Sequence, residues 1–389
     1  MDSIYFDNSA TTRISDAALE RYIEISRECY GNPSSLHALG FQAERVLSNA
    51  RAELLRALGA KECEVCFTAS GSEANNLAII GRAFSKDRYL RGAKIVITEG
   101  EHASVSEPAM KLRSMGFKVA EIPTRNGVLS EQALERELTN DVILVSMMMV
   151  NNETGAFYDT SSVARLMKRR CPEAYLHLDA TQSFMKLPFS KASSGADMIT
   201  VSSHKIEGPK GVGALVIDKK VIKERGLSPL ILGGGQEGGL RSGTENVPAV
   251  AAFGEAVKIY SSALGERYRY TEELRSYLIE GLTPLSDAKG LKLILPERHA
   301  PHILNVILPA IKSETMLHYL SSLGIYVSSG SACSSNARHL SSALLAFGVA
   351  REDADYSIRI SLSYKNTREE CDRFISALDE GISRLAKVR

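Results

Sequence analysis

The sequence lacks a charge imbalance, a long apolar run and a basic leader, and each absence excludes a class of protein. Its 47 basic and 46 acidic side chains give a formal net charge of +1, so electrostatics gives no reason to expect nucleic acid or an anionic membrane as a partner. The most apolar segment, residues 142–150, is too short to span a bilayer. Residues 1–7 contain no basic stretch followed by an apolar one. We therefore expect a cytoplasmic protein that binds neither membrane nor nucleic acid directly.

Cysteine is also scarce, with six in 389 residues. In a long chain without an export signal we expect these cysteines to be reduced thiols. Cys63 and Cys66 form a C-x-x-C pair, but a zinc site of this kind needs a second pair and the sequence contains none. We interpret the pair as structural and expect no metal.

What the sequence does contain is an alternation of helical and strand-like segments from about residue 15 to 220. It predicts helical faces through Leu19, Tyr22, Ile23 and Ser26 and through Val46, Leu47, Ala50 and Leu54, and strands at 65–68, 94–98, 142–147, 175–179 and 198–202. Continuous apolar runs between helices favour a mostly parallel sheet covered on both faces. Beyond about residue 250 the pattern indicates a smaller α+β unit. We predict an α/β fold with a large domain at 15–254 and a small domain formed by residues 1–14 and 255–389.

Polar residues follow the predicted strands at their carboxyl ends, where parallel sheets bind ligands. Lys205 follows the strand at 198–202, and a buried ammonium is costly unless it is paired or converted into a Schiff base. Asp179 ends the preceding strand, with Gln182 three positions further on. Pyridoxal phosphate (PLP) requires an acidic partner for its pyridinium nitrogen and benefits from a donor to its phenolate oxygen. A turn lysine and a helix-capping aspartate are the alternatives for each residue alone, but together these residues predict PLP bound to Lys205 as a Schiff base.

A phosphate cradle is predicted at Ser70–Glu73, which opens a helix after the strand at 65–68. Backbone N–H groups and the dipole at a helix start favour an anion, although an ordinary helix cap gives the same pattern. The segment matches neither a Walker motif nor a dinucleotide-binding motif. The sequence therefore favours the phosphate of a cofactor over a nucleotide.

Nine blocks of the sequence carry a family resemblance. They are Phe6–Thr12, Tyr30–Ser35 with His37, Glu101-His102, Val150–Gly155, Asp179–Gln182, Ser202–Lys205, Gly233–Glu237, Arg241–Asn246 and Ser328–Ser334. In these blocks, which cover nearly the whole chain in order, the sequence resembles the cysteine desulfurases of the NifS/IscS-like group. That group belongs to the class-V aminotransferases, PLP-dependent enzymes of fold type I.

The resemblance implies a role for each matching residue. His102 is expected to stack on the pyridine ring and to move protons, and Asn152 to lie near the phenolate oxygen and the substrate. Arg359 matches the arginine that grips the substrate carboxylate, a contact suited to a planar guanidinium. The phosphate would be held by Gly71, Ser72, Ser202 and His204. Thr244 would reach the phosphate of the neighbouring subunit's cofactor, which implies a homodimer.

Cys333 determines the reaction that the resemblance implies. It lies in a loop at about 328–340 whose first eight residues are five serines, a glycine, an alanine and Cys333 itself; such a segment has little to bury and is expected to be mobile. In the family, Lys205 anchors the cofactor and then takes the α-proton of L-cysteine. The thiolate of Cys333 attacks the substrate sulfur, leaving a persulfide and L-alanine. The serine-rich loop resembles the group that passes sulfur directly to scaffold proteins, for iron–sulfur clusters or other thio-cofactors.

The sequence departs from the family at a few positions and leaves alternatives open. Glu207 stands where many relatives carry an aromatic residue. We expect it to face solvent, whereas an inward carboxylate would favour the protonated amine of Lys205. Thr154 replaces the more usual isoleucine, and residues 364–366 also differ. An aminotransferase, a selenocysteine lyase and a catalytically idle partner of sulfur transfer are the alternative functions, and the sulfur acceptor stays open.

Overall fold

The computed structural model describes residues 3–329 and 340–385. Its strands are β1 (Ile4–Tyr5), β2 (Cys63–Thr68), β3 (Lys94–Thr98), β4 (Lys118–Ile122), β5 (Val142–Met148), β6 (Tyr175–Asp179), β7 (Met198–Ser202), β8 (Gly213–Asp218), β9 (Lys292–Ile294), β10 (Ile303–Ile307), β11 (Ile325–Tyr326), β12 (Ser328–Ser329) and β13 (Ser357–Ser361). Its α-helices are α1 (Asp16–Glu28), α2 (Ala38–Ala57), α3 (Gly71–Ala83), α4 (Ala103–Ser114), α5 (Glu131–Glu137), α6 (Thr160–Arg170), α7 (Lys191–Ser194), α8 (Lys219–Lys223), α9 (Val247–Ser262), α10 (Leu264–Lys289), α11 (Ser313–Ser322), α12 (Ser342–Phe347) and α13 (Arg368–Leu385). No helix within these ranges is long and apolar enough to cross a membrane.

A seven-stranded sheet forms the centre of the molecule, in the order β2-β8-β7-β6-β5-β3-β4. All neighbours in it are parallel except β8, which is antiparallel to both β2 and β7. Because β2 and β7 both run opposite to β8, the carboxyl ends of β2, β5, β6 and β7 lie at one edge of the sheet. The predicted α/β class with a mostly parallel sheet is confirmed.

The sheet is covered on both faces because its strands are apolar on both sides. Val96 packs in one core with residues of α2, α6 and α9, whereas its neighbours Ile95 and Ile97 pack in another with residues of α3 and α4. Successive side chains of a strand point to opposite faces. The continuous apolar runs of the sequence therefore indicated burial on both faces correctly.

A second, antiparallel sheet has the order β12-β13-β10-β9. It shares a separate hydrophobic core with α10, α11 and α13, to which Ile4 and Phe6 also contribute. The short strand β1 pairs with β11, so the start of the chain lies beside this α+β unit. The domain boundaries at residues 15 and 254 stay a prediction.

Two local expectations were incomplete or wrong. Helix α1 buries Ala18 and Ile25, while Leu19 and Ile23 of the predicted face are exposed. Helical periodicity gives the spacing of apolar rows, but it does not determine which of two adjacent rows meets the neighbouring helix. Strands β4 and β8 were not predicted, and β8 inserts between β2 and β7.

Candidate active site

Most of the predicted site residues converge at the carboxyl edge of the central sheet. A cavity of about 400 Å³ opens there. Its walls include Gly71, Ser72, His102, Asn152, Asp179, Gln182, Ser202, His204, Lys205 and Arg359. These side chains come from separate parts of the chain. The shared direction of β2, β3, β5, β6 and β7 brings them together, except for Arg359, which comes from β13 of the second sheet.

The amine of Lys205 lies in this cavity and contacts the N-terminal segment. Its Nζ donates hydrogen bonds to the carbonyl oxygens of Ser9, at 2.6 Å, and Ala10, at 2.7 Å. Thr12 binds the same turn, because its hydroxyl donates to the His204 carbonyl at 2.8 Å and accepts from the Glu207 backbone N–H at 2.8 Å. The block Phe6–Thr12, which sequence reasoning had left without a role, therefore positions the lysine.

Asp179 is buried at the end of β6 and is oriented by two donors. Its Oδ1 accepts from the Thr181 backbone N–H at 2.9 Å, and its Oδ2 accepts from Asn75 Nδ2 at 2.8 Å. Asn75 is itself buried on α3 and also donates to Ser104 Oγ at 2.8 Å. Sequence reasoning missed Asn75, although it lies only a few residues beyond the predicted cradle.

His102 caps α4 and presents a neutral ring to the cavity. Its Nδ1 accepts from the Ser104 backbone N–H at 3.1 Å, which leaves the proton on Nε2. Burial lowers the pKa of His102, and the positive charge of Lys205 lowers it further, while Asp179 acts in the opposite direction. An uncharged ring at neutral pH is suited to stacking on an aromatic cofactor.

The start of α3 has the properties of a phosphate cradle. Ser70 caps the helix by accepting from the Glu73 backbone N–H at 3.1 Å, and Gly71 follows at the first helical position. A Cβ on Gly71 would lie 3.3 Å from both Ser202 Cβ and Thr181 Oγ1, so a side chain there would narrow the cradle. His204 lies at the same cavity, and burial together with Lys205 and Lys210 lowers its pKa to about 4.

These features fit PLP. An amine, a buried carboxylate and an open helix N-terminus line one cavity, which are the partners that the cofactor's carbonyl carbon, ring nitrogen and phosphate require. Gln182, predicted as a donor to the phenolate oxygen, also lines this cavity. Its Nε2 donates to the Ser9 carbonyl at 2.9 Å, and its Oε1 accepts from Lys186 Nζ at 3.3 Å.

Arg359 lies on β13 and faces the cavity from the second sheet. Its Nη1 donates to the Asn152 carbonyl at 2.9 Å, and its Nη2 donates to Asp7 Oδ1 at 3.0 Å. The same Asp7 oxygen accepts from Ser328 Oγ at 2.7 Å. The Nε of Arg359 is buried and makes no hydrogen bond to a described residue. A guanidinium with two partners already fixed has donors left for a carboxylate ligand.

Glu153 is a further titratable residue of this cavity that sequence reasoning did not assign. Its carboxylate accepts from the hydroxyl of Ser341, which caps α12. Burial raises the pKa of Glu153 to about 7, although the Ser341 hydroxyl and the Arg359 charge act in the opposite direction. Asp7 contacts Ser328 and Glu153 contacts Ser341, so cavity residues hold both flanks of the segment that contains Cys333.

Glu207 does not face solvent, and that expectation was wrong. Its side chain is 5% exposed and accepts from Lys365 Nζ at 2.8 Å and from Tyr364 Oη at 3.1 Å. The turn after Lys205 directs the carboxylate inward, with φ of Glu207 at +60°. Residues 364–366, the other departure from the family, thus include the partners of this buried carboxylate.

One predicted residue is not among those that line the cavity, and another is not described. Thr244 is exposed between β8 and α9. Cys333 lies outside the described residues, as does most of the predicted loop. Ser328 and Ser329, which were predicted to begin that loop, instead form β12 and pair with β13.

The C-x-x-C pair behaves as a structural feature. Cys63 and Cys66 are buried and belong to different cores on opposite faces of β2, so they cannot share one metal ion. Burial raises the pKa of Cys63 to about 11 and that of Cys66 further. Among residues 3–329 and 340–385, no cluster of three or more histidine, cysteine or acidic side chains is suited to a metal.

Comparisons with known proteins agree with this geometry. Residues 4–374 match the family described as aminotransferase class-V. Cysteine desulfurase IscS 1 of Archaeoglobus fulgidus is 36% identical over 99% of this chain and 98% of its own length. Cysteine desulfurase IscS of Methanosarcina thermophila is 35% identical over 99% of this chain and 93% of its own.

Solved structures give the same assignment. A NifS-like protein aligns with a TM-score of 0.90 and 38% identity, over 99% of this chain and all of its own. The NifS-like protein from Rickettsia africae aligns with a TM-score of 0.84 and 30% identity, over 98% of this chain and all of its own. The chain belongs to the PLP-dependent class-V aminotransferase family and, within it, to the group of the IscS and NifS cysteine desulfurases.

Proposed function

We propose that this protein is a PLP-dependent cysteine desulfurase that converts L-cysteine to L-alanine and holds the sulfur as a persulfide on Cys333. The observation that carries the proposal is that Lys205, Asp179 and Arg359 line one cavity, whose wall also contains Ser328 and Ser329. These two serines immediately precede the segment with Cys333. This reaction requires four groups: a lysine that binds the cofactor, an acidic partner for the cofactor's ring nitrogen, an arginine that binds the substrate carboxylate, and a thiol.

The cofactor supplies an electron sink for the pair that remains when the substrate's α-hydrogen leaves as a proton. Asp179, fixed by Asn75 and Thr181, would be the acidic partner of the ring nitrogen. The ring of His102 would stack on the cofactor's face, and Asn152 would lie near its phenolate oxygen. The phosphate would be held by Gly71, Ser72, Ser202 and His204.

The substrate is oriented by Arg359, whose guanidinium binds the α-carboxylate. Lys205 takes the α-proton as a general base. The Cys333 thiolate then forms a bond to the substrate sulfur while the carbon–sulfur bond breaks, and the carbon is protonated to give alanine. The sum is L-cysteine plus a protein thiol giving L-alanine plus a protein persulfide, which needs no external oxidant or reductant.

The same proposal extends to partners and location. Thr244 is exposed and is not among the described residues that line its own cavity, which supports a homodimer in which it reaches the neighbouring cofactor. The persulfide would pass to an acceptor protein such as an iron–sulfur scaffold. Within residues 3–329 and 340–385 no disulfide links the cysteines, which are Cys29, Cys63, Cys66, Cys171 and Cys371. Cysteines without disulfides are consistent with the cytoplasm as the proposed location.

The test combines attachment of the cofactor with product analysis. After borohydride reduction, peptide mass spectrometry is expected to place the PLP adduct on Lys205, and L-cysteine is expected to yield L-alanine without an added 2-oxo acid. Lys205→Ala should abolish both signals, while Lys210→Ala, an exposed lysine in the same turn, should keep both. Bound PLP without alanine formation would contradict the desulfurase assignment, and a requirement for a 2-oxo acid would indicate an aminotransferase. A faster reaction with L-selenocysteine would indicate the lyase.

A further inference from the structure

A second, smaller cavity shares Lys205, and no other lining residue among those described, with the cavity of the candidate active site. It lies where α9 and α10 meet the segments at 301–302 and 362–364, and its volume is about 40 Å³. Its walls include Lys186, Arg267 and His302 as well as Lys205. A space of this size has room for only a few solvent-sized particles.

The charge of this cavity is strongly one-sided. Two side chains that can carry positive charge, Lys186 and Arg267, line it together with the cofactor lysine Lys205, and none of its lining residues in the described chain is an aspartate or glutamate. The Glu207 carboxylate accepts a hydrogen bond from Tyr364 of the cavity wall, but this carboxylate already forms an ion pair with Lys365. Positive charges that converge in a low-dielectric space repel one another unless an anion offsets them.

Arg267 is held in place by aromatic rings but lacks a polar partner at one end. Its guanidinium lies 4.4 Å from the ring centroid of Tyr260 and 3.9 Å from that of Tyr364. Its Nη1 is buried and makes no hydrogen bond to a described residue. Stacking fixes the plane of the guanidinium and leaves this N–H group available to a ligand.

Lys186 and His302 also have poorly satisfied hydrogen-bonding groups. The Nζ of Lys186 donates a hydrogen bond to Gln182 Oε1 that is long, at 3.3 Å. Burial, together with the charges of Lys205 and Arg359, lowers the pKa of Lys186 to about 7. His302 is buried, with 4% of its surface exposed. The Gln182 backbone lies nearby, but neither ring nitrogen of His302 makes a hydrogen bond of good geometry to a described residue.

We propose that this cavity is a binding site for a small monovalent anion of halide size, held between the Lys186 ammonium and the Arg267 guanidinium. Such an ion offsets the mutual repulsion of the cations, accepts a hydrogen bond from the unpaired Nη1 and fits the available space. A water molecule could fill the space but would leave the charge uncompensated. The inference rests on this cavity alone and does not depend on the desulfurase activity.

Crystals of the PLP-loaded enzyme soaked in sodium bromide give the direct test. The expected result is an anomalous bromide peak inside the cavity, in contact with both Lys186 and Arg267. Ordered water alone in the cavity, or bromide at surface positions only, would overturn the proposal.

A solution measurement on the same holoenzyme tests whether binding occurs without a crystal. Because a ligand that binds only the folded state stabilises it, chloride should raise the Tm relative to gluconate at equal ionic strength. Arg267→Gln and Lys186→Met should each reduce this rise by at least half, and Lys186→Met serves alone if the arginine variant does not fold. Arg298→Gln is the matched control, because Arg298 stacks on Phe157 at 4.9 Å outside the cavity. An equal chloride response in all four proteins would overturn the proposal.

Discussion

Asp7 offers the sharpest single perturbation of the candidate site, because its carboxylate contacts both Arg359 and Ser328. We consider Asp7→Asn, which keeps the shape of the side chain and removes its charge. In the wild-type protein the Arg359 side chain is 8% exposed and the Asp7 side chain is 20% exposed, with 3.0 Å between Nη2 and Oδ1. The substitution leaves the guanidinium without its negative partner.

Two opposite effects follow from this loss. Two unit charges at contact attract by roughly 4 kcal/mol at an effective dielectric constant of about 20, and residual solvent at the cavity reduces the net contribution of such a pair to about 1–3 kcal/mol. We therefore expect the variant to be less stable by about that amount. The substrate carboxylate, however, meets an arginine that has lost the carboxylate in contact with its Nη2. A gain of about 1 kcal/mol in binding corresponds to a KM for L-cysteine lowered roughly fivefold.

The assay pairs urea unfolding with steady-state alanine production. Asp16→Asn is a matched control, because Asp16 forms an exposed pair with Arg13 at 3.9 Å, and such pairs contribute little to stability. Unchanged stability together with a raised KM in Asp7→Asn would refute the reasoning, since it would mean that Asp7 orients the substrate rather than neutralising Arg359.

Three further predictions concern other residues of the site. Burial raises the pKa of Glu153 from 4.5 to about 7. Because the folded state then holds this proton more tightly than the unfolded state, the free energy of unfolding falls as pH rises between these two pKa values, by on the order of 1–3 kcal/mol. Glu153→Gln should flatten this dependence in urea unfolding at pH 5 and pH 7.5, and an unchanged slope would contradict it. Gly71→Val should lower PLP affinity at least tenfold in absorbance titrations while circular dichroism stays native, because the side chain enters the cradle beside Ser202; undiminished affinity would place the phosphate elsewhere. Glu207→Gln should cost about 1 kcal/mol of stability, since half-exposed Lys365 loses its buried partner, and a neutral effect would show that the pair contributes nothing.

The parts of the structure that follow from local pattern were predictable from the sequence. The strands that end at Asp179 and Ser202 were predicted with the bounds that the structure has, because buried parallel strands read as short apolar runs with polar ends. Asp179 and Lys205 could be placed at one edge because carboxyl ends of parallel strands meet there. The resemblance then added Arg359, which no local pattern marks as more than a strand residue.

What the sequence did not predict depends on contacts between distant segments. The direction of Glu207 is set by a left-handed turn and by Lys365, which lies far along the chain. Asn75 and Asp7 act by orienting another residue, and such a role carries no motif of its own. The exposure of Leu19 depends on which apolar row of α1 meets α9, a choice made by tertiary packing.

The most direct test of the whole account is mass spectrometry of the PLP-loaded protein after incubation with L-cysteine. We predict a mass increase of one sulfur atom on the peptide that contains Cys333. The increase should be absent in Cys333→Ala, in which the visible absorption of the bound cofactor should persist. Sulfur found instead on another cysteine, or alanine formed at an undiminished rate by Cys333→Ala, would contradict the assignment of Cys333 as the sulfur acceptor.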